Sequence, residues 1–258
     1  MALDVDISGA DDLVAVENSD GAHPVVLVCE HASRHVPEEY GNLGLTADHL
    51  TSHIAWDPGA LETARQMSAL LDAPLIHGRI SRLIYDCNRP PEAKDAIPEQ
   101  SEATPVPGNA NLSTEQRNRR IETFYRPFEK QVSDFLDTRG AGAIVVTIHS
   151  FTPVYLGKTR EVEVGILHDE DTRLADAVLN SADAFIVRRN DPYGPEHGVT
   201  HTLKHHALPR GLLNVMIEVR NDLITTPDEC ATMAGRLSQW MLSALEVLDC
   251  QQVREASL

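Results

Sequence analysis

Val25-Val26-Leu27-Val28-Cys29-Glu30-His31-Ala32-Ser33-Arg34 is the stretch that decides the fold. Five apolar residues follow Pro24 without a break and end in a charged cluster. Such a run suits a strand buried on both faces of a sheet. In an open α/β sheet, the groups just past the carboxyl end of a strand face the ligand crevice. His31 therefore stands where an imidazole can meet a metal or a substrate. Two further stretches end the same way. Ala143-Ile144-Val145-Val146-Thr147-Ile148 leads into His149-Ser150, and Leu213-Asn214-Val215-Met216-Ile217 leads into Glu218-Val219-Arg220.

Around these three strands, helical and extended patterns alternate. Thr46 caps a short helix ending before His53, and Asp57-Pro58 opens a longer one through Leu71, with Asp57 at the cap and Pro58 at the first position. Ala73–Ile76 and Arg82–Asp86 read as strands. Ser113 and Gln116 form a capping box ahead of a helix that Pro127 can kink. The alternation of Val162, Val164 and Ile166 predicts a strand with one less buried side. A helix over 169–179, a strand over 184–187 and a helical 201–207 follow. Thr226-Pro227-Asp228-Glu229 starts a last helix that runs to about Leu248. The alternation predicts a three-layer α/β/α domain around a mixed, mostly parallel sheet. Residues 1–22 form a poorly ordered or peripheral lead-in with a short strand at Leu13–Val16, and 23–258 form a single catalytic domain. Pro90 to Asn111 holds five prolines and is too long for a routine connection, so it reads as a lid or binding loop.

The 258 residues carry 39 acidic and 22 basic side chains, a net charge of -17. That balance argues against nucleic acid and anionic membranes as partners, whose phosphates need a basic face. It leaves room for a small anionic substrate held by local arginines. The four cysteines have no CxxC spacing, so reduced thiols and a cytoplasmic location are expected. Residues 1–22 lack a basic segment followed by an apolar core, so no signal peptide is expected. No apolar run reaches membrane-spanning length. There is no GxGxxG, no P-loop and no GxSxG elbow.

Two imidazoles and one carboxylate with an open fourth position make the hydrolytic zinc pattern. His31 and His149 supply the imidazoles. Asp57 is the first candidate for the third ligand, with Glu30 and His53 behind it, although helix capping alone also accounts for Asp57. Glu218 follows Val-Met-Ile, where an unpaired carboxylate is costly, and is a candidate general base. Asn88-Arg89, beside the long loop, can hold a substrate carboxylate through the guanidinium, with Arg82 as a second candidate and Ser33 as a further substrate contact. His197, His201, His205 and His206 crowd one region. The 201/205 pair has helical metal-ligand spacing, but no carboxylate falls at a matching distance.

Several segments together carry a resemblance. They are Glu30-His31-Ala32-Ser33 with Val36-Pro37, His53 through Ala60, Ser81-Arg82 through Pro90, Thr147 through Pro153, and Ile217 through Ile224. From Pro24 to Ile224 the chain resembles the N-formylglutamate amidohydrolase family, as a divergent branch. The resemblance implies a phosphorylase/hydrolase-like core related to zinc carboxypeptidases and aspartoacylase. It implies about one zinc per chain, with His31 and His149 matching the metal histidines. Glu218 falls at the place of the glutamate base, and Asn88-Arg89 matches the pair that grips a substrate carboxylate. The activity implied is hydrolysis of a small anionic N-formyl or N-acyl amino acid, such as N-formyl-L-glutamate to formate and L-glutamate.

Overall fold

The computed structural model describes residues 13–255, with side chains through 249. In chain order the elements are β1 (Val14–Glu17), β2 (Val25–Cys29), α1 (Ala47–Thr51), α2 (Ala60–Leu71) and β3 (Leu75–Gly78). A two-residue hairpin follows, β4 (Gln100–Ser101) and β5 (Thr104–Pro105), then α3 (Thr114–Arg120), α4 (Arg126–Arg139) and β6 (Ile144–Phe151). A second small hairpin, β7 (Val154–Tyr155) and β8 (Lys158–Thr159), precedes β9 (Val164–Leu167), α5 (Arg173–Ser181) and β10 (Val187–Arg189). The chain continues through β11 (Asn214–Arg220) and α6 (Pro227–Glu255).

Seven strands form one sheet in the order β1-β3-β2-β6-β11-β9-β10. The β2–β3, β2–β6, β6–β11 and β9–β10 pairs are parallel; β1–β3 and β9–β11 are antiparallel. The mixed, mostly parallel α/β/α expectation is met. The parity of β2 shows why. Val25, Leu27 and Cys29 pack in the layer holding α2, α5 and α6, while Val26 and Val28 face the opposite layer with Phe128, Val132 and Leu136 of α4. All five are fully buried, and each such aliphatic side chain contributes about 1.5–3 kcal/mol. A third apolar cluster, with Ile54, Leu83, Tyr85, Ile97 and Phe124, lies under the long loop.

Three of the expected caps are in place. Thr46 Oγ1 accepts from His49 N–H, and the Ser113–Gln116 box is closed in both directions. Thr226 and Glu229 exchange side-chain-to-backbone bonds at the start of α6. The expected kink is a π turn over Ile121–Tyr125, just ahead of Pro127, which has no N–H to give to the helix. The expected strand at Leu13–Val16 is β1, on the sheet edge; residues 1–12 of the lead-in lie outside the described residues.

Several expectations need correction. Residues 82–86 are successive turns, with Ile84 N–H on Ser81 O and Arg89 N–H on Asp86 O. Their apolar side chains fill the cluster under the loop, and a short apolar run does not by itself separate a strand from a buried turn. The strand after Glu161 is buried on both sides, because β11 and β10 flank it and α5 covers it. The 184–187 strand is β10, shifted to Val187–Arg189 after Ala184 takes a left-handed turn at φ 63°. The last helix extends past Leu248 to Glu255. The helix expected from Asp57 starts at Ala60, behind a left-handed Gly59, because the Asp57 side chain is turned elsewhere.

Candidate metal centre

His149 and Glu218 lie within their strands, two residues before the ends. The parallel β6–β11 register sets them opposite one another. On both strands the alternate residues Ile148 and Ile217 belong to the α2/α6 layer, so His149 and Glu218 project to the other face. His31 follows the end of β2 by two residues. Asp57 is delivered by the loop before α2, where its own N–H bonds His31 O and Ser150 Oγ donates to Pro58 O. Gly59 makes that loop possible. It sits at φ 79°, and a Cβ there would come within 2.3 Å of Ile224 O.

Three ligand atoms converge. His149 Nδ1 lies 2.9 Å and His31 Nδ1 3.2 Å from Asp57 Oδ2, and the two ring nitrogens are 3.2 Å apart. All three residues are buried. The opposite nitrogens face carboxylates: His31 Nε2 lies 2.7 Å from Asp86 Oδ1, and His149 Nε2 lies 3.0 Å from Glu30 Oε2 in an ion-pair contact without hydrogen-bond alignment. A neutral imidazole whose Nε2–H faces a carboxylate turns its Nδ1 lone pair outward. Two lone pairs and a carboxylate oxygen then meet at one point, an arrangement that protons or a cation must hold together. Ligand atoms about 3 Å apart are also what a first shell at about 2.0–2.2 Å requires. His31, Asp57 and His149 can hold a metal ion.

The titration behaviour follows from the same packing. Burial disfavours the imidazolium form at His149, yet Glu30 and Asp57 overcome it and raise its pKa well above the usual range. At His31, burial and Arg82 oppose protonation, and Asp86 with Asp57 outweighs them. Burial would lift Asp86, but Arg82 and His31 hold its carboxyl well below the ordinary range. Arg82 completes this layer, donating to Asp57 Oδ1 at 3.3 Å and Asp86 Oδ2 at 2.7 Å. Glu218 differs. Burial pushes its pKa up to about 7 against the pull of His149, and its Oε2 has no hydrogen-bond partner.

These groups open onto a cleft of about 280 Å³. Its inner end is formed by the triad, Arg82 and Glu218, and its outer walls by the long loop and by Thr152, Tyr155 and Tyr193. The long loop thus forms a wall of the cleft. Arg89 Nε bonds Asp95 at 2.7 Å, and the Asn109 amide bonds Leu83 O and Pro98 O.

A family model described as N-formylglutamate amidohydrolase matches residues 23–225. The chain belongs to the N-formylglutamate amidohydrolase family. A gene product of Agrobacterium tumefaciens with a known crystal structure is 55% identical, with a TM-score of 0.90 over 92% of this chain and 96% of that one. The N-formylglutamate amidohydrolase of Ralstonia eutropha JMP134 is 18% identical, with a TM-score of 0.64 over 92% of this chain and 98% of that one, a likeness in fold. No curated protein matches.

In this member of the N-formylglutamate amidohydrolase family the other expected residues divide. Arg82, Asn88 and Arg89 line the cleft. The Asn88 amide is occupied by the backbone, donating to Val199 O and accepting from Thr202 N–H at 3.0 Å. Ser33 is not part of the lining, and its Oγ accepts His35 N–H. Glu30 stands behind His149, and His53 pairs with Glu102 at 2.9 Å on the outer wall, so neither joins the triad. His201 meets Tyr125 Oη, His205 meets Glu129, and His197 accepts Gly194 N–H. Among the described residues the 201/205 pair gathers no third ligand. Asp86 received no role from the sequence, although a carboxylate directly after Leu83-Ile84-Tyr85 was a signal that it had to be paired. Among the described residues, no helix is long and apolar enough to cross a membrane.

Proposed function

We propose that the protein is a zinc-dependent amidohydrolase that cleaves the amide C–N bond of a small N-formyl or N-acyl amino acid, with N-formyl-L-glutamate as the family's reference compound. The observation that carries this reading is the buried His31–Asp57–His149 convergence with the unpartnered Glu218 Oε2 in the same cleft. A zinc ion held by the triad would polarise the acyl oxygen and acidify a water molecule. Glu218 takes the proton from the attacking water at Oε2 and returns it to the leaving nitrogen. Asp86 and Glu30 fix the imidazoles with Nδ1 toward the ion. Arg82, beside both the triad and the cleft, orients a carboxylate or acyl oxygen of the substrate. Asn88 and Arg89 shape the pocket around the amino acid portion, Arg89 contributing positive charge to the α-carboxylate.

Metal analysis and a screen of N-formyl and N-acetyl amino acids test this. The expected result is about one zinc per chain and release of acid that stops on chelation and returns with zinc. No bound metal, together with no gain on zinc addition, overturns it.

A further inference from the structure

Within that hydrolase reading, we infer that the cleft selects N-acyl amino acids with an uncharged polar side chain, and that Glu102 turns a second substrate carboxylate away. Five carboxylates line the cleft, from Asp57, Asp86, Asp95, Glu102 and Glu218, against the guanidinium groups of Arg82 and Arg89. A divalent cation in the triad leaves the cleft anionic whenever Glu218 is ionised, as a base must be. Both guanidinium groups are already engaged. Arg82 donates to Asp57 and Asp86, and Arg89 donates to Asp95 and to the carbonyls of Asn88 and Gly198. One α-carboxylate can share these cations. A second finds no further guanidinium or ammonium group in the lining, and the His53 imidazole there is already paired with Glu102.

The outer wall presents the opposite charge. Glu102 occupies the tip of the β4–β5 hairpin in the left-handed region, at φ 51°, where non-glycine residues are uncommon. Gln100 Nε2 bonds Glu102 O at 2.7 Å and fixes that turn. The Glu102 carboxylate points inward to His53 Nε2 at 2.9 Å and is only 24% exposed. The neighbouring lining groups, Gln100, Ser101 and Thr152, are neutral donors and acceptors suited to an amide or hydroxyl. Selection by an unfavourable contact, here like charges, is as effective as selection by an added attraction.

The test is an isosteric pair, N-formyl-L-glutamine and N-formyl-L-glutamate, with the zinc-loaded protein. The expected kcat/KM ratio is at least tenfold in favour of glutamine at about 50 mM salt, falling severalfold at about 0.5 M as the charges are screened. Glu102→Gln lowers the ratio by raising use of glutamate. Equal use, or preference for glutamate, overturns the inference while leaving the hydrolase reading intact. Calorimetric affinities of the same two compounds for zinc-loaded Glu218→Gln protein, where Glu218 no longer adds its charge and Glu102 alone discriminates, give a readout without turnover. The expected result is a preference for glutamine that adding Glu102→Gln removes. A preference for glutamine there, with neither compound hydrolysed by the parent protein, upholds the selectivity and leaves the hydrolase reading to the metal analysis and the wider substrate screen. Binding of neither compound overturns the inference.

Discussion

The Asp86 carboxylate bridges His31 and Arg82, with Oδ1 2.7 Å from His31 Nε2 and Oδ2 2.7 Å from Arg82. This carboxylate sets which ring nitrogen of His31 presents its lone pair to Asp57 and His149. Asp86→Asn keeps the shape and removes the charge. Metal affinity is expected to fall about 10–100-fold, the usual effect of losing such an outer partner, with the circular dichroism spectrum unchanged. Competition with a coloured chelator measures it. An unchanged affinity would mean that His31 needs no help from Asp86.

Glu218→Gln separates chemistry from metal binding. Its Oε2 has no hydrogen-bond partner and is not one of the three converging ligand atoms. Turnover is expected to drop by about 10²–10⁴, the range for a lost general base, while zinc content stays near that of the parent. Loss of both together would make Glu218 a ligand rather than a base.

The sheet and the two converging histidines were legible because both are written as strand patterns. Each apolar run of β2, β6 and β11 is buried on two faces, and each is followed or interrupted by polar groups that cannot be apolar core, among them His31, His149 and Glu218. Asp57 was legible as a residue but not in its act. Local chemistry predicts a cap on α2, and only the fold reveals that Gly59 defers the helix to Ala60 and frees the carboxylate for the triad. The roles of Asp86 and Glu30 depend on pairs far apart in sequence, and no periodicity encodes them. The turns over 82–86 are not legible in the sequence, because burial under a loop and burial in a sheet leave the same apolar trace.

Asn88 was expected to touch substrate, but its amide ties the segment from Val199 to Thr202 to the cleft wall. Asn88→Ala leaves the Thr202 N–H and the Val199 carbonyl without their partner, which costs about 1–3 kcal/mol for each group that stays buried and unsatisfied. The melting temperature should fall by several degrees, and kcat/KM should fall by a similar factor for every substrate cleaved. A loss confined to KM for carboxylate-bearing substrates would restore the direct contact expected from sequence.

The second histidine cluster supplies an acid-sensitive element away from the triad. The rings of His205 and His206 are 4.8 Å apart, and His206 is 4% exposed with its Nδ1 lacking a partner. Burial, with the neighbouring His205 charge, holds the His206 pKa down to about 3. In the unfolded chain an ordinary histidine titrates near 6.5. The unfolded state therefore binds the proton first, and stability declines as the pH falls from about 6.5 toward 3. Between pH 6.5 and 4 the decline from this one residue is on the order of 2–3 kcal/mol. The carboxyls of Asp57 and Asp86 titrate only in stronger acid, while at His31 and His149 burial, which alone would lower the pKa, is outweighed by the neighbouring carboxylates, and the raised values give the opposite sign in metal-free protein. The comparison is therefore made on the zinc-loaded protein. Denaturant melts at pH 7.5, 6 and 5 for the parent and for His206→Asn are expected to show a shallower decline in the variant. Parallel pH curves for the two proteins would mean that His206 accepts a proton in the fold at its ordinary pKa.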